Sequence, residues 1–231
     1  MASSWLSALG LSFLMSSAQA AAPLQHPVVL ELFTSQGCSS CPPADGLLNE
    51  LAVRDNVLAL SYHITYWNSL GWQDPLSFDA ATARQNAYGI AMGHAQVYTP
   101  QLVVQGSADV IGSSRGKVED ALAQAGAKGG WVPVTLQKSG GKLVIHAAEQ
   151  KGVSADVILL GYIRQSHNEV PRGENAGSTL HHRNSVISIE ALSPWNGGAL
   201  DAAVPLPKGD GVAVLLQQPG SGAILGAGWL Q

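Results

Sequence analysis

The sequence predicts an α/β domain followed by an all-β domain. Strand-like and helix-like segments alternate from Val28 to about Ala127. Beyond Gly129-Gly130 no helical period appears, and short runs of alternating apolar residues take over. The only two cysteines stand as Cys38-Ser39-Ser40-Cys41, where an apolar strand gives way to a helix.

The first strand is read from Val28, Val29, Leu30, Leu32 and Phe33, a run apolar enough to be buried on both faces and interrupted by Glu31. Thr34-Ser35-Gln36-Gly37 supplies turn chemistry, and Leu47, Leu48, Leu51 and Val53 recur at helical spacing. Residues 57–62 read as a second strand, parallel to the first because a helix separates them. An Ala-rich helix over 79–91, a strand over 101–104, a turn at 105–107, a strand over 108–111 and a helix through Lys117, Val118, Leu122 and Ala125 complete the first domain. In the second, Ser139-Gly140-Gly141 turns a hairpin, and further strands are expected over 156–163, 186–191, 200–204, 212–217 and 223–230. They predict an all-β sandwich or partial barrel, with domains at 26–128 and 131–231.

Charged residues make up 12% of the 231, the formal net charge is -4 and the pI is near 5.9. That balance, without a basic run, argues against a nucleic-acid partner or an anionic membrane surface. An apolar stretch from Trp5 to Met15, followed by Ala18-Gln19-Ala20, fits an export signal over residues 1–20, although no Lys or Arg precedes it. The stretch is short for a bilayer span, so stable membrane insertion is not expected after cleavage. The expected location is periplasmic or secreted, where disulfides persist.

Two cysteines three positions apart at a strand-to-helix turn fit redox chemistry, a structural bridge or half of a metal site. A bridge across so few residues removes little unfolded-chain entropy, and zinc normally needs more ligands than one pair supplies. Near a helix N-terminus Cys38 gains thiolate character, with Cys41 as the resolving thiol. Pro42-Pro43 weakens that argument, because two prolines remove first-turn donors and move the effective helix start to Pro42.

The order strand, Cys-pair helix, strand, helix, Pro-initiated strand, hairpin strand, helix resembles the thioredoxin fold. Thr99-Pro100 stands where thioredoxin-like proteins carry a cis proline beside the reactive pair, and the resemblance implies a cis bond here and a substrate-facing role for both residues. It also implies that Glu31 is a buried carboxylate that relays a proton for the second cysteine; the competing reading is a solvated acid on a half-exposed strand. Four strings resemble an exported bacterial family known as domain of unknown function 1223: residues 31–45, Tyr66-Trp67 with Gly71-Trp72 and Asp74-Pro75, Tyr98-Thr99-Pro100-Gln101, and Arg172-Gly173-Glu174-Asn175 with Gly177, Leu180, His182 and Asn184. That family implies the thioredoxin-like fold and brings no established reaction.

The expected machinery is therefore Cys38, Cys41 and Glu31 for chemistry, with Thr99, Pro100, Trp67 and Trp72 for substrate contact. No cofactor and no metal are expected, and the partners are protein or peptide thiols and disulfides. Trp67 and Trp72 equally suit core packing. Two further classes stay open: a Cu(I)-binding protein in which His63 or His94 joins the thiolates, and a non-catalytic envelope binding module. The polar string 172–184 reads as a locked loop or a ligand site, and Asp79 and Arg84 read as solvated helix faces.

Overall fold

The computed structural model describes residues 26–230, and the export signal expected over 1–20 lies outside them. β1 (Val28–Thr34) and β2 (Val57–His63) are buried along their whole length and run parallel, Val28 opposite Val57 through to Thr34 opposite His63. Alternation sends successive side chains to opposite faces. On one face α1 (Pro42–Leu51) sets Ala44, Leu47, Leu48 and Leu51 against Leu30, Leu32, Val57 and Ala59. On the other, Tyr88 of α2 (Asp79–Ala91) packs with Val29, Phe33, Leu58, Leu60 and Tyr62.

β3 (Gln101–Val104) lies antiparallel to β1, and β4 (Ala108–Ile111) antiparallel to β3. The three-residue connection between them, closed by the Ser107 amide donating to the Val104 carbonyl at 3.1 Å, places Gln105 at φ 52° and Gly106 at φ 65°, the paired positive values that tighten such a hairpin turn. α3 (Arg115–Gly126) then returns to the α1 face through Val118 and Leu122. These elements fall close to where the hydrophobic period puts them.

The remaining strands are β5 (Val134–Ser139), β6 (Lys142–Ala147), β7 (Asp156–Val170), β8 (Ser178–Ala191), β9 (Leu200–Pro205), β10 (Gly211–Gln217) and β11 (Ile224–Leu230). Their pairing corrects the predicted fold class. β8 joins β2 in parallel at Ser185 opposite Ser61, so one eight-stranded mixed sheet runs β11-β10-β7-β8-β2-β1-β3-β4. The molecule is mostly β, and a thioredoxin-like α/β domain with a separate sandwich or barrel is not its architecture. The reason lies in strands such as β10, buried along its entire length. Its Ala213 and Leu215 share the α2-side core with Phe33 and Tyr62, while Val212, Val214 and Leu216 face the small sheet β5-β6-β9. A strand apolar on both faces needs cover on both, and a free-standing two-layer sandwich supplies it on one.

β7 and β8 also extend well past their expected limits. Beyond the stretch of β7 that pairs with β10, residues 163–170 and 178–183 continue as a two-stranded arm. The ladder is irregular at the base of that arm, with a register shift at Gly161/Tyr162 and Asn184 at φ 50°. The arm reaches back over the N-terminal end of α1.

Candidate functional site

Ser35 starts the loop after β1. Its side chain accepts from the Gly37 amide at 3.0 Å and its carbonyl accepts from the Cys38 amide at 3.1 Å. Cys38 and Cys41 form a disulfide with Cα atoms 5.4 Å apart. Cys41, not Cys38, is the N-cap of α1; Pro42 and Pro43 carry no amide hydrogen, and the Ala44 and Asp45 amides both donate to the Cys41 carbonyl. The first-turn donors are thus spent within the helix. What faces the Cys38 sulfur is hydroxyl: Thr99 Oγ1 donates at 3.4 Å, and Ser40 Oγ lies 3.3 Å away.

Thr99 is fixed in turn by Trp67, whose Nε1 donates to its Oγ1 at 2.9 Å. The Thr99–Pro100 bond is cis and Pro100 is buried where β3 begins. Trp72 donates to Gln36 Oε1 at 3.1 Å, so of the two tryptophans of the loop after β2 one braces Thr99 and the other the cysteine loop, and neither stands free. Cys38, Cys41, Thr99, Pro100, Trp67 and Trp72 are thereby brought together.

Glu31 is not among them. It is fully buried, but its carboxylate is held by Arg84 on α2 at 2.7 and 3.0 Å and accepts from Tyr88 Oη. Its neighbours Leu30 and Leu32 belong to the α1 face, so Glu31 points to the opposite side of the sheet. Arg84, expected as a solvated helix face, is a buried cation; burial alone would loosen its proton, but the Glu31 carboxylate, with Tyr88 and Tyr62 beside it, outweighs that and holds the proton more tightly than usual.

Beneath the disulfide, on the α1 face, lies a buried group of four ionisable side chains. His63 Nδ1 is 2.7 Å from Asp74 Oδ2, which also accepts from the Gln36 amide at 2.8 Å and so ties the pair to the cysteine loop. His182 of β8 meets the His63 ring edge to face, with centroids 4.6 Å apart, and its Nδ1 lies 3.9 Å from Asp45 Oδ2. Burial pushes the Asp45 carboxyl up to about 7 and the His182 imidazole down to about 3, so the two meet as neutral groups rather than as an ion pair. Both Asp45 oxygens, both His182 nitrogens and His63 Nε2 lack hydrogen-bond partners. On the sequence alone Asp45 has no role and His182 only a place in the polar string 172–184; the signal for Asp45 was its position one turn beyond Cys41, at the i+4 spacing that brings two helical side chains together.

Among the described residues, no group of three His, Cys, Asp or Glu side chains could hold a metal ion. His94 sits instead on Asp109, exposed. A cavity of about 680 Å³ lined by Arg54, Arg164, Arg183 and Trp229 opens beside Val57, at the other end of β2 from the disulfide, and plays no part in this arrangement. No described helix is long and apolar enough to cross a membrane.

The string 172–184 forms the turn of the arm and its β8 strand, the one that lies against α1. Asn175 Nδ2 donates to the Gln36 and Cys38 carbonyls at 2.9 and 3.0 Å, Glu174 Oε2 accepts from the Ser39 amide at 3.1 Å, and Asn168 Oδ1 accepts from Gln36 Nε2 at 3.0 Å. Both cysteines are 0% exposed beneath these contacts.

The fold and site thus define a protein with a buried disulfide at a helix start, roofed by a β-ribbon. Residues 29–217 match the family described as "Protein of unknown function (DUF1223)", and the chain belongs to that family. A crystal structure of protein AGR_C_4864 from Agrobacterium tumefaciens is similar at 34% identity and a TM-score of 0.77, covering 90% of this chain and 96% of that one. HBP35 of Porphyromonas gingivalis is similar in fold, at 15% identity and a TM-score of 0.62, over 90% of this chain and 76% of that one. No curated protein matches the chain.

Proposed function

We propose that the protein is an exported thiol–disulfide oxidoreductase acting through Cys38 and Cys41. The observation that carries this reading is a disulfide closing a loop too short to add much stability, with Thr99 Oγ1 directed at the Cys38 sulfur. In the reduced protein the Cys38 thiolate attacks a partner disulfide and expels one partner thiolate. Cys41, deprotonated, then attacks the Cys38 sulfur of the mixed disulfide; the second partner thiol leaves and the Cys38–Cys41 bond re-forms, with two electrons passed to the partner. The hydroxyls of Thr99 and Ser40 are the donors that favour the Cys38 thiolate. We assign proton acceptance from Cys41 to Asp45 rather than Glu31, because Asp45 is one turn away with unpartnered oxygens and Glu31 is locked in its ion pair.

A relation of this site to that of thioredoxin-like proteins belongs to the same reading and is supported by the run of elements from β1 to α3 and by Pro100 beside the pair. Location in the periplasm or outside the cell is supported by the apolar N-terminal stretch with its Ala18-Gln19-Ala20 site. Partners are then protein or peptide disulfides. Turnover of insulin disulfides with a dithiol reductant tests the reading: activity is expected in the native chain and absent in Cys38→Ser. Equal turnover in both would overturn it.

A further inference from the structure

Thiol exchange needs the attacking sulfur to reach Cys38 in line with the bond that breaks, yet neither cysteine exposes any surface. We propose that the β7–β8 arm is an autoinhibitory cap, which must swing off the cysteine loop before any exchange can occur; this deepens the oxidoreductase reading and rests on it.

The arm is built like a lever. Beyond Ile163 and Ser185 its strands pair only with each other; a register shift at Gly161/Tyr162 lies at its base, and Asn184 interrupts the ladder there with a left-handed backbone. Irregularities of this kind weaken pairing locally and re-aim the strands that extend beyond them. Along its length the arm is held to α1 by Asn49, whose Nδ2 donates to the His181 carbonyl at 2.9 Å and whose Oδ1 accepts from the Arg183 amide at 2.9 Å. At the tip, Asn175, Glu174 and Asn168 clasp residues 36–39. Gly173, at φ 83°, lies so close to the Trp72 loop that an added Cβ would stand 3.0 Å from Trp72 Cβ. The tip is thus wedged between that loop and the cysteines.

Most of these grips are polar and solvent-adjacent. Glu174 is exposed, Asn49 and Asn175 are half-buried, and the outer surface of the arm is largely polar. Such contacts exchange readily for water, so a partner that binds the tip can lift it without unfolding the core. The apolar cores on both faces of the large sheet stop short of the tip, with Leu160, Tyr162 and Val186 the arm-side residues of the core shared with Phe33; only Val170, Leu180 and His182 of the arm are themselves buried, His182 against His63, and these are what lifting the arm uncovers.

The test is the rate at which excess dithiothreitol reduces the Cys38–Cys41 bond, read by mass after quenching with a maleimide. In that reaction a reductant thiolate bonds to the Cys38 sulfur and expels the Cys41 thiolate, which takes a proton. The second reductant thiol then displaces Cys38 and closes the reductant's own ring. Asn175→Ala loosens the tip and Asn49→Ala loosens the shaft, far from either sulfur. Each is expected to speed reduction about ten-fold, the scale of losing one or two hydrogen bonds that hold the closed state. Unchanged rates in folded Asn49→Ala and Asn175→Ala proteins would overturn the cap. Acceleration in Asn175→Ala alone would also overturn it, because that is a local effect on the Cys38 carbonyl. Insulin turnover, measured separately, keeps the two readings apart. In the Asn49→Ala and Asn175→Ala proteins, where the cap is loosened, faster reduction without insulin turnover supports the cap and removes the oxidoreductase; turnover with unchanged reduction does the reverse.

Discussion

Asp45 and His182 stand 3.9 Å apart, and burial acts on them in opposite senses. Asp45 takes up a proton near 7 in the folded chain but near 3.8 when unfolded, so through this group stability is fullest in acid and falls as pH rises toward 7. His182 charges near 6.5 unfolded and only near 3 when folded, so through this group stability is fullest above 6.5 and falls as pH drops. Where the two ranges overlap the slopes oppose each other, with His63 and Asp74 facing the same pocket throughout. Asp45→Asn is expected to leave the His182 slope alone, so that stability to urea rises by about 2–3 kcal/mol from about pH 4.5 to about pH 6.5. His182→Gln should give a fall over the same range. A flat profile in both variants would show that the pair is not held neutral. At the sulfur itself, Thr99→Ala removes the hydroxyl donor and is expected to raise the Cys38 thiol pKa, read from thiolate absorbance of the reduced protein; an unchanged titration would show that the hydroxyl does not favour the thiolate.

At the scale of elements, the segments whose hydrophobic period is strong appear where the sequence puts them. α2 and β3 are cases, at Asp79–Ala91 and Gln101–Val104. The arm was not legible. Arg164 to Glu169 are polar on both faces and Ser178 to Arg183 offer one apolar residue, Leu180, because a ribbon that rests on α1 largely through polar contacts needs no continuous apolar face, and strand detection depends on one. The cysteine pair and Thr99-Pro100 were legible because local spacing encodes them. Asp45 with His182 and the Glu31 lock depend on contacts across long stretches of sequence, which no local pattern reports. Asn184 illustrates the point: its φ of 50° suits Asn or Gly, and its Nδ2 donates to the Ala59 carbonyl at 2.8 Å, bridging β8 to β2. Asn184→Gly should cost about 1 kcal/mol for the lost bond, and Asn184→Val about 2–3 kcal/mol because backbone strain is added. Equal losses in chemical denaturation would mean that the backbone conformation is not what selects this residue.

Across the whole molecule, the parallel contact of β2 with β8 is only one register pair long, yet the two halves of the sheet are not loosely joined. Glu31 of β1, Arg84 and Tyr88 of α2, and Gln217 of β10 form one buried network: Arg84 donates to Gln217 Oε1 at 3.1 Å, and Gln217 Nε2 donates to Tyr88 Oη at 2.9 Å. Gln105 adds a second tie, accepting from the Val29 amide at 3.0 Å and donating to the Ile224 carbonyl at 2.7 Å. A core running from Phe33 and Tyr62 to Leu215 and Ala227 lies across the junction. Removing one partner of a buried ion pair leaves the other charged without compensation, so Arg84→Met should cost about 3–5 kcal/mol, while Glu31→Leu with Arg84→Met together should recover much of that loss. Because the network and the core span the junction, both halves should unfold together: slow hydrogen exchange of β1 and of β10 amides should report the same opening free energy in the native chain, and both should fall by the same amount in Arg84→Met. Were β10 protection to fall while that of β1 held, the halves would be separate cooperative units and the junction would carry contact without coupling.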